Sequence, residues 1–73
     1  MLNVGVGDYV VNQKNGHVGK VIGYGHQILK SGYETTLKVL VAEPETFKKR
    51  IFVEEDLYSV WIQRSGGQHF RLF

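Results

Sequence analysis

Seventy-three residues allow one small domain, close to the size at which a single apolar core is barely sufficient. With no cysteine, disulfides and thiolate metal sites are excluded as reinforcement, and association between chains is what remains. A formal net charge of +2, with both signs interspersed, gives no general field for nucleic acid, and an apolar fraction of 42% argues against disorder.

In chain order, Met1 to Val4 reads as an extended lead-in, with Gly5 and Gly7 breaking regular pairing beside it. A first strand is expected over Asp8 to Gln13, with Asp8 accepting hydrogen bonds from nearby turn amides. The turn Lys14-Asn15-Gly16 follows, because Asn-Gly supplies the positive φ that a tight hairpin requires. From Val18 to Gly25, side chains alternate with glycine or valine, so one face of this strand should be nearly bare and the strand should bend sharply. His26 to Gly32 reads as a loop or the fraying tip of a long hairpin, apolar at its centre.

Period-two patterning returns at Tyr33, Thr35, Leu37, Val39 and Val41, which gives the longest strand with its odd positions inward. Glu43-Pro44-Glu45-Thr46 ends it, since proline cannot donate to a ladder. Lys48 to Val53 is expected as a short fourth strand, with Ile51 and Val53 on one face and Lys48, Arg50 and Phe52 on the other. The acidic run Glu54-Glu55-Asp56 before Leu57 suits one helical turn. Tyr58 to Gln63 completes the set, so residues 1–63 form an all-β, SH3-like small barrel of about five antiparallel strands with a short helical turn before the last. Residues 64–73 read as a C-terminal tail, flexible or used in association.

Two resemblances sit on these residues. Gly7-Asp8-x-Val10, then Gly16-x-x-Gly19-x-Val21, resembles the opening of many small barrels, including KOW modules; for a KOW module this implies contact with RNA or an RNA polymerase partner. The order Gly5-x-Gly7-Asp8-x-Val10, Gly19-x-x-Ile22-Gly23, Gly32-Tyr33, Pro44, Ile51-Phe52 and Leu57 is similar to the plasmid- and integron-borne type II dihydrofolate reductases. That resemblance implies a small barrel acting as a tetramer around a shared pore, lined by Val-Gln-Ile-Tyr, whose glutamine and tyrosine contact folate and nicotinamide. The matching positions here are Lys49-Arg50-Ile51-Phe52. Arginines gathered at one pore would repel each other and lack the amide's paired donor and acceptor, so the expectation is a shared scaffold without the reaction.

The candidate sites are therefore binding sites. Lys48, Lys49 and Arg50, beside Phe47 and Phe52, could hold phosphate with a ring nearby, or could simply guard a strand edge against pairing. Tyr24, Tyr33 and Trp61, with Tyr9 and Tyr58, could line a groove for an extended peptide, or cover the rim of an undersized core. The apolar tip Ile28-Leu29 and the tail residues Phe70, Leu72 and Phe73 point to self-association. His17, His26 and His69 lack ligand spacing, so no metal is expected, and nothing calls for a cofactor. The leading reading is a non-enzymatic module in the cytoplasm, without a membrane segment, that binds a protein or itself ahead of nucleic acid. The alternative is a type II dihydrofolate reductase-like oligomer with altered pore residues.

Overall fold

The computed structural model describes residues 4–44 and 49–64. They form one antiparallel sheet of five strands: β1 (Tyr9–Asn12), β2 (Val18–Leu29), β3 (Gly32–Pro44), β4 (Lys49–Leu57) and β5 (Trp61–Gln63). The order across the sheet is β4-β3-β2-β1-β5, so β4 and β5 are its edges and the sheet is not closed by backbone pairing. A single 3-10 turn, Tyr58–Val60, precedes the last strand, and the described residues contain no α-helix.

The β1–β2 turn forms where Asn-Gly places it, with Gly16 at φ 80° and its amide donating to the Asn12 carbonyl at 2.8 Å. Two asparagines shape it. The Oδ1 atoms of Asn12 and Asn15 accept from the amides of Lys14 and His17, each at 2.8 Å. Ahead of β1, Asp8 accepts from the Gly5 amide at 2.9 Å, the strand-entry role expected of it.

Three local expectations are corrected. First, β2 does not keep one bare face. Val21 stands opposite Val39 and Gly23 opposite Lys38, so Ile22 is the extra residue of a bulge. Before the bulge Gly19 and Val21 point to the core; after it Tyr24 does, opposite Leu37, because one added residue reverses every side chain that follows. Second, of the two readings of His26 to Gly32 the loop falls and the tip of a long hairpin holds, with its strands paired almost to the end. β2 and β3 pair out to Leu29 opposite Gly32, leaving Lys30 and Ser31 as a two-residue tip closed by Gly32 at φ 116°. Third, Glu54 to Leu57 is extended and continues β4, while the helical turn falls on Tyr58–Val60 and shortens the last strand to three residues. Local sequence favoured a helical turn, but Glu54 and Asp56 take up long-range donors that a strand presents and a helix would not.

The core is Val4, Val10, Val21, Leu37, Val39, Val41 and Trp61, with Phe52 and Tyr58 packed against it. Leu37, Val39 and Val41 are the inward odd positions of β3, and each buried side chain of this size contributes roughly 1.5–3 kcal/mol. Tyr33 and Thr35 share their parity but lie past the end of the core and are exposed. Tyr58 ties down the chain start: its hydroxyl accepts from the Val4 amide at 3.0 Å. The Tyr24 hydroxyl donates to the Val4 carbonyl at 3.2 Å.

Candidate functional site

The inward row of β4 is Arg50, Phe52, Glu54 and Asp56, opposite Glu43, Val41, Val39 and Leu37 of β3. Where the sheet curls, the β1–β2 turn comes down on this row. Asn12, fully buried, donates from Nδ2 to Glu54 Oε2 at 2.8 Å and Asp56 Oδ2 at 3.2 Å. Asn15 adds a second amide to Glu54 Oε2 at 2.8 Å, and Lys14 Nζ reaches Asp56 Oδ2 at 3.0 Å. His17 Nδ1 lies 2.6 Å from Glu54 Oε1, and its Nε2 lies 3.5 Å from Glu43 Oε2. Strands separated by two others in the ladder are thus joined by side chains alone.

Charge follows from that geometry. The hydrogen bond with Glu54 holds the His17 imidazole above its ordinary 6.5, helped by the Glu54 and Glu43 charges against desolvation and Arg50. Burial pushes the Glu54 carboxyl up, but hydrogen bonds from Asn15 and His17 prevail and hold it below 4.5. Asp56 is likewise pushed up by burial and held lower by Lys14, the Leu57 amide and Asn12. Glu54 accepts hydrogen bonds from three side chains of its own protein, so it is a clasp for the sheet and not a base waiting for substrate.

A pH dependence follows. A raised imidazole stabilises the fold fully below 6.5 and loses that contribution as pH rises through its folded value; the lowered carboxyls stabilise above 4.5 and 3.8 and lose it as pH falls through theirs. Urea midpoints measured across pH should form a plateau between these limits with a decline on each side. His17→Gln should flatten the alkaline decline and also weaken the Glu54 part of the acid one, since His17 is among the groups that lower that carboxyl, while leaving the part that belongs to Asp56.

The other sequence candidates scatter. Arg50 lies 3.7 Å from Glu43 Oε1 with its guanidinium 5.0 Å over the Phe52 ring, whose edge-on neighbour is His17 at 5.7 Å. Lys49 opens β4 opposite Pro44, and Lys48 lies outside the described residues, as do Phe70, Leu72 and Phe73. Trp61 does not line a groove: it is 3% exposed and belongs to the core, and its Nε1 has no hydrogen-bond partner among the described residues. Tyr33 and Ile28 stand directly opposite each other on the hairpin arm, 73% and 70% exposed, with the His26 ring 6.2 Å from Tyr33. Tyr24 continues the same face toward the core, and Leu29 is half-buried beside the tip.

One group escaped the sequence reading. On the sheet face turned away from the core, Tyr9, Lys20, Leu40 and Val53 stand in register across four strands. Beside that row Val11 faces both Val18 and Ile62, and Ala42 faces Ile51. Tyr9, Leu40, Ile51, Val53 and Ile62 are all exposed. The signal was present in Leu37-Lys38-Val39-Leu40-Val41-Ala42, a nearly continuous apolar run of the kind found in strands covered on both faces.

Comparison with protein-family models, with curated proteins and with solved structures finds no match for this chain.

Proposed function

We propose that this protein is a non-enzymatic small-barrel binding module that associates with itself and docks a protein partner. The supporting observation is that among the described residues ten large apolar side chains are exposed, beside seven buried in the core and others, Phe52 and Tyr58 among them, packed against it. Ten exposed large apolar groups among the described residues of so small a domain favour a covering surface. The exposed groups gather on the hairpin arm, at Ile28, Tyr33 and Tyr24, and on the outer sheet face.

Nucleic acid is the weaker partner on this reading, because Arg50 of the basic cluster is already set against Glu43 and the Phe52 ring. The same guanidinium stands where the reductase resemblance would need an amide. No described helix is long and apolar enough to cross a membrane, and a cytoplasmic address belongs to the same proposal.

Sedimentation velocity over a wide concentration range, with an NADPH and dihydrofolate absorbance assay beside it, tests the reading. Mass should rise with concentration and absorbance should stay flat. A monomer at every concentration, or steady NADPH-dependent loss of absorbance, overturns it. The double variant Ile28→Ser, Tyr33→Ser should keep its unfolding free energy, from urea denaturation, within about 0.5 kcal/mol of the parent, because both side chains project from the arm into solvent.

A further inference from the structure

We infer that β4 is the self-association element, and that its open edge takes the β4 edge of a second copy, antiparallel, about a two-fold axis at Phe52. The inference rests on the self-association proposed above and adds to it which element is used, and in what register.

The strand is self-complementary in sequence. Lys48-Lys49-Arg50-Ile51-Phe52-Val53-Glu54-Glu55-Asp56 runs from three basic residues through three apolar ones to three acidic ones. Set antiparallel against itself about Phe52, β4 places Arg50 opposite Glu54, Lys49 opposite Glu55, Ile51 opposite Val53 and Phe52 opposite its own copy. Opposite charges and apolar side chains directly across from each other are the pairs that stabilise a ladder. Moving the axis by one residue, to Ile51 or Val53, sets Phe52 against Arg50 or Glu54 and loses the match. The same charges oppose most foreign strands, so they guard this edge while admitting its own copy.

The backbone offers the groups this pairing needs. β4 is an edge strand, paired with β3 alone among the described residues. Which of its amides face outward follows from alternation along the ladder. The Val21 amide and carbonyl bond Asp8 and Gly7, on the side of β2 away from β3, so Val39 opposite Val21 turns its own toward β4. Phe52 and Glu54, opposite Val41 and Val39, therefore bond β3, and Ile51, Val53 and Glu55 turn amide and carbonyl to the open edge. The opening ends at Leu57, whose amide is taken by Asp56 Oδ1 at 2.8 Å. With the axis at Phe52, outward-facing Ile51 meets outward-facing Val53, and Lys49 meets Glu55, as hydrogen-bonded pairs. Phe52 with its copy, and Arg50 with Glu54, fall on the alternate rungs, where side chains come closest.

The side chains can make the exchange. The Arg50 side chain is 57% exposed and its contact with Glu43 is long, at 3.7 Å. A contact of that kind is worth little and can be traded. Glu54 Oε2 carries the Asn12 and Asn15 bonds and Oε1 the His17 bond, which leaves Oε1 able to accept another donor. Ile51 and Val53, both exposed in the single chain, gain an apolar neighbour across the new rung.

The experiment is sedimentation equilibrium on the full chain and on variants. Lys49→Glu sets like charges opposite each other on both sides of the axis and should weaken association about tenfold or more. Glu55→Lys does the same with the other sign and also gives up the bond from the Thr36 hydroxyl, so circular dichroism and a thermal midpoint check that each variant is folded. An equimolar mixture of the two restores every opposite-charge pair and should associate as the wild type does. Val53→Pro removes an amide that the edge uses and the β3–β4 ladder does not, and should abolish the dimer with the fold kept. The inference is supported if Lys49→Glu and Val53→Pro dissociate a wild-type dimer, mixing recovers it, and the Ile28→Ser, Tyr33→Ser variant leaves it intact. It is overturned, with self-association itself still standing, if folded Lys49→Glu or folded Val53→Pro dimerises like the wild type, or if folded Lys49→Glu and Glu55→Lys associate no more tightly mixed than apart. Mass that climbs past the dimer also overturns it, since a two-fold edge contact closes at two copies. A wild type that is monomeric at every concentration removes the self-association reading as well.

Discussion

Replacing Gly19 with alanine is expected to lower stability by about 3 kcal/mol, which for a domain of this size moves the thermal midpoint by roughly 15 °C. Gly19 stands opposite Val41 in the β2–β3 ladder and is buried. A Cβ built there overlaps the Leu40 carbonyl oxygen, and lies 2.9 Å from the carbon of that carbonyl and 2.7 Å from Val39 Cγ1. Two of those three atoms are backbone within a paired strand, so they cannot turn aside as the end of a lysine would. The urea midpoint should fall with the slope unchanged, since the surface exposed on unfolding is the same. Gly23 is the control on the same strand: a Cβ there meets only Lys38 Cδ, at 3.9 Å. Gly23→Ala should be neutral or stabilising by about 0.5 kcal/mol, because it stiffens the unfolded chain without crowding the folded one. Equal losses at the two positions would mean that strand propensity, and not close approach, sets the cost.

Asn12 is the second position of large effect. Asn12→Ala removes the buried amide that bridges Glu54 and Asp56 and the acceptor for the Lys14 amide, and should cost about 2–4 kcal/mol. Asn12→Asp has nearly the same shape and keeps that acceptor. It nevertheless sets a third carboxylate within hydrogen-bond distance of the two already there, at 2.8 Å and 3.2 Å in the parent geometry. Repulsion raises the folded pKa of the introduced group above its unfolded value. Its penalty should therefore be full at neutral pH and relieved as pH falls through that raised value. Urea midpoints at several pH values distinguish the two variants: the alanine penalty should track the parent profile, and the aspartate penalty should shrink on acidification. A pH-independent aspartate penalty would show that Asn12 acts by filling space.

How much of this could be read in advance depends on whether the cause is local. Gly16 and Gly32 mark their turns through their own backbone freedom, and Leu37, Val39 and Val41 mark the core through period-two spacing; both signals lie within a few residues. The Ile22 bulge is hidden because the glycines around it look like a bare face in either register. The continuation of β4 through Leu57 is hidden for another reason. The donors that favour Glu54 and Asp56 in a strand are Asn12, Asn15 and His17, 37 to 44 residues away in the chain. The outer apolar face is dispersed further still, at one or two side chains per strand, and becomes a patch only when the strand order is known. The aromatic candidates divide on the same ground: Trp61 and Tyr33 look alike in sequence, but one closes the core and the other stands beyond it.

The hairpin arm has one more property. β4 accompanies β3 only as far as Thr36, which faces Leu57, so the rungs from His26 to Thr35 have a single neighbour while the rest of the hairpin lies inside a wider ladder. Deuterium should enter the amides of this two-stranded length long before it reaches those of Val21 or Val39, through openings that leave the body of the domain folded. Residue changes at the tip are accordingly uncoupled from global unfolding, and the surface of the arm can diversify without refolding the protein.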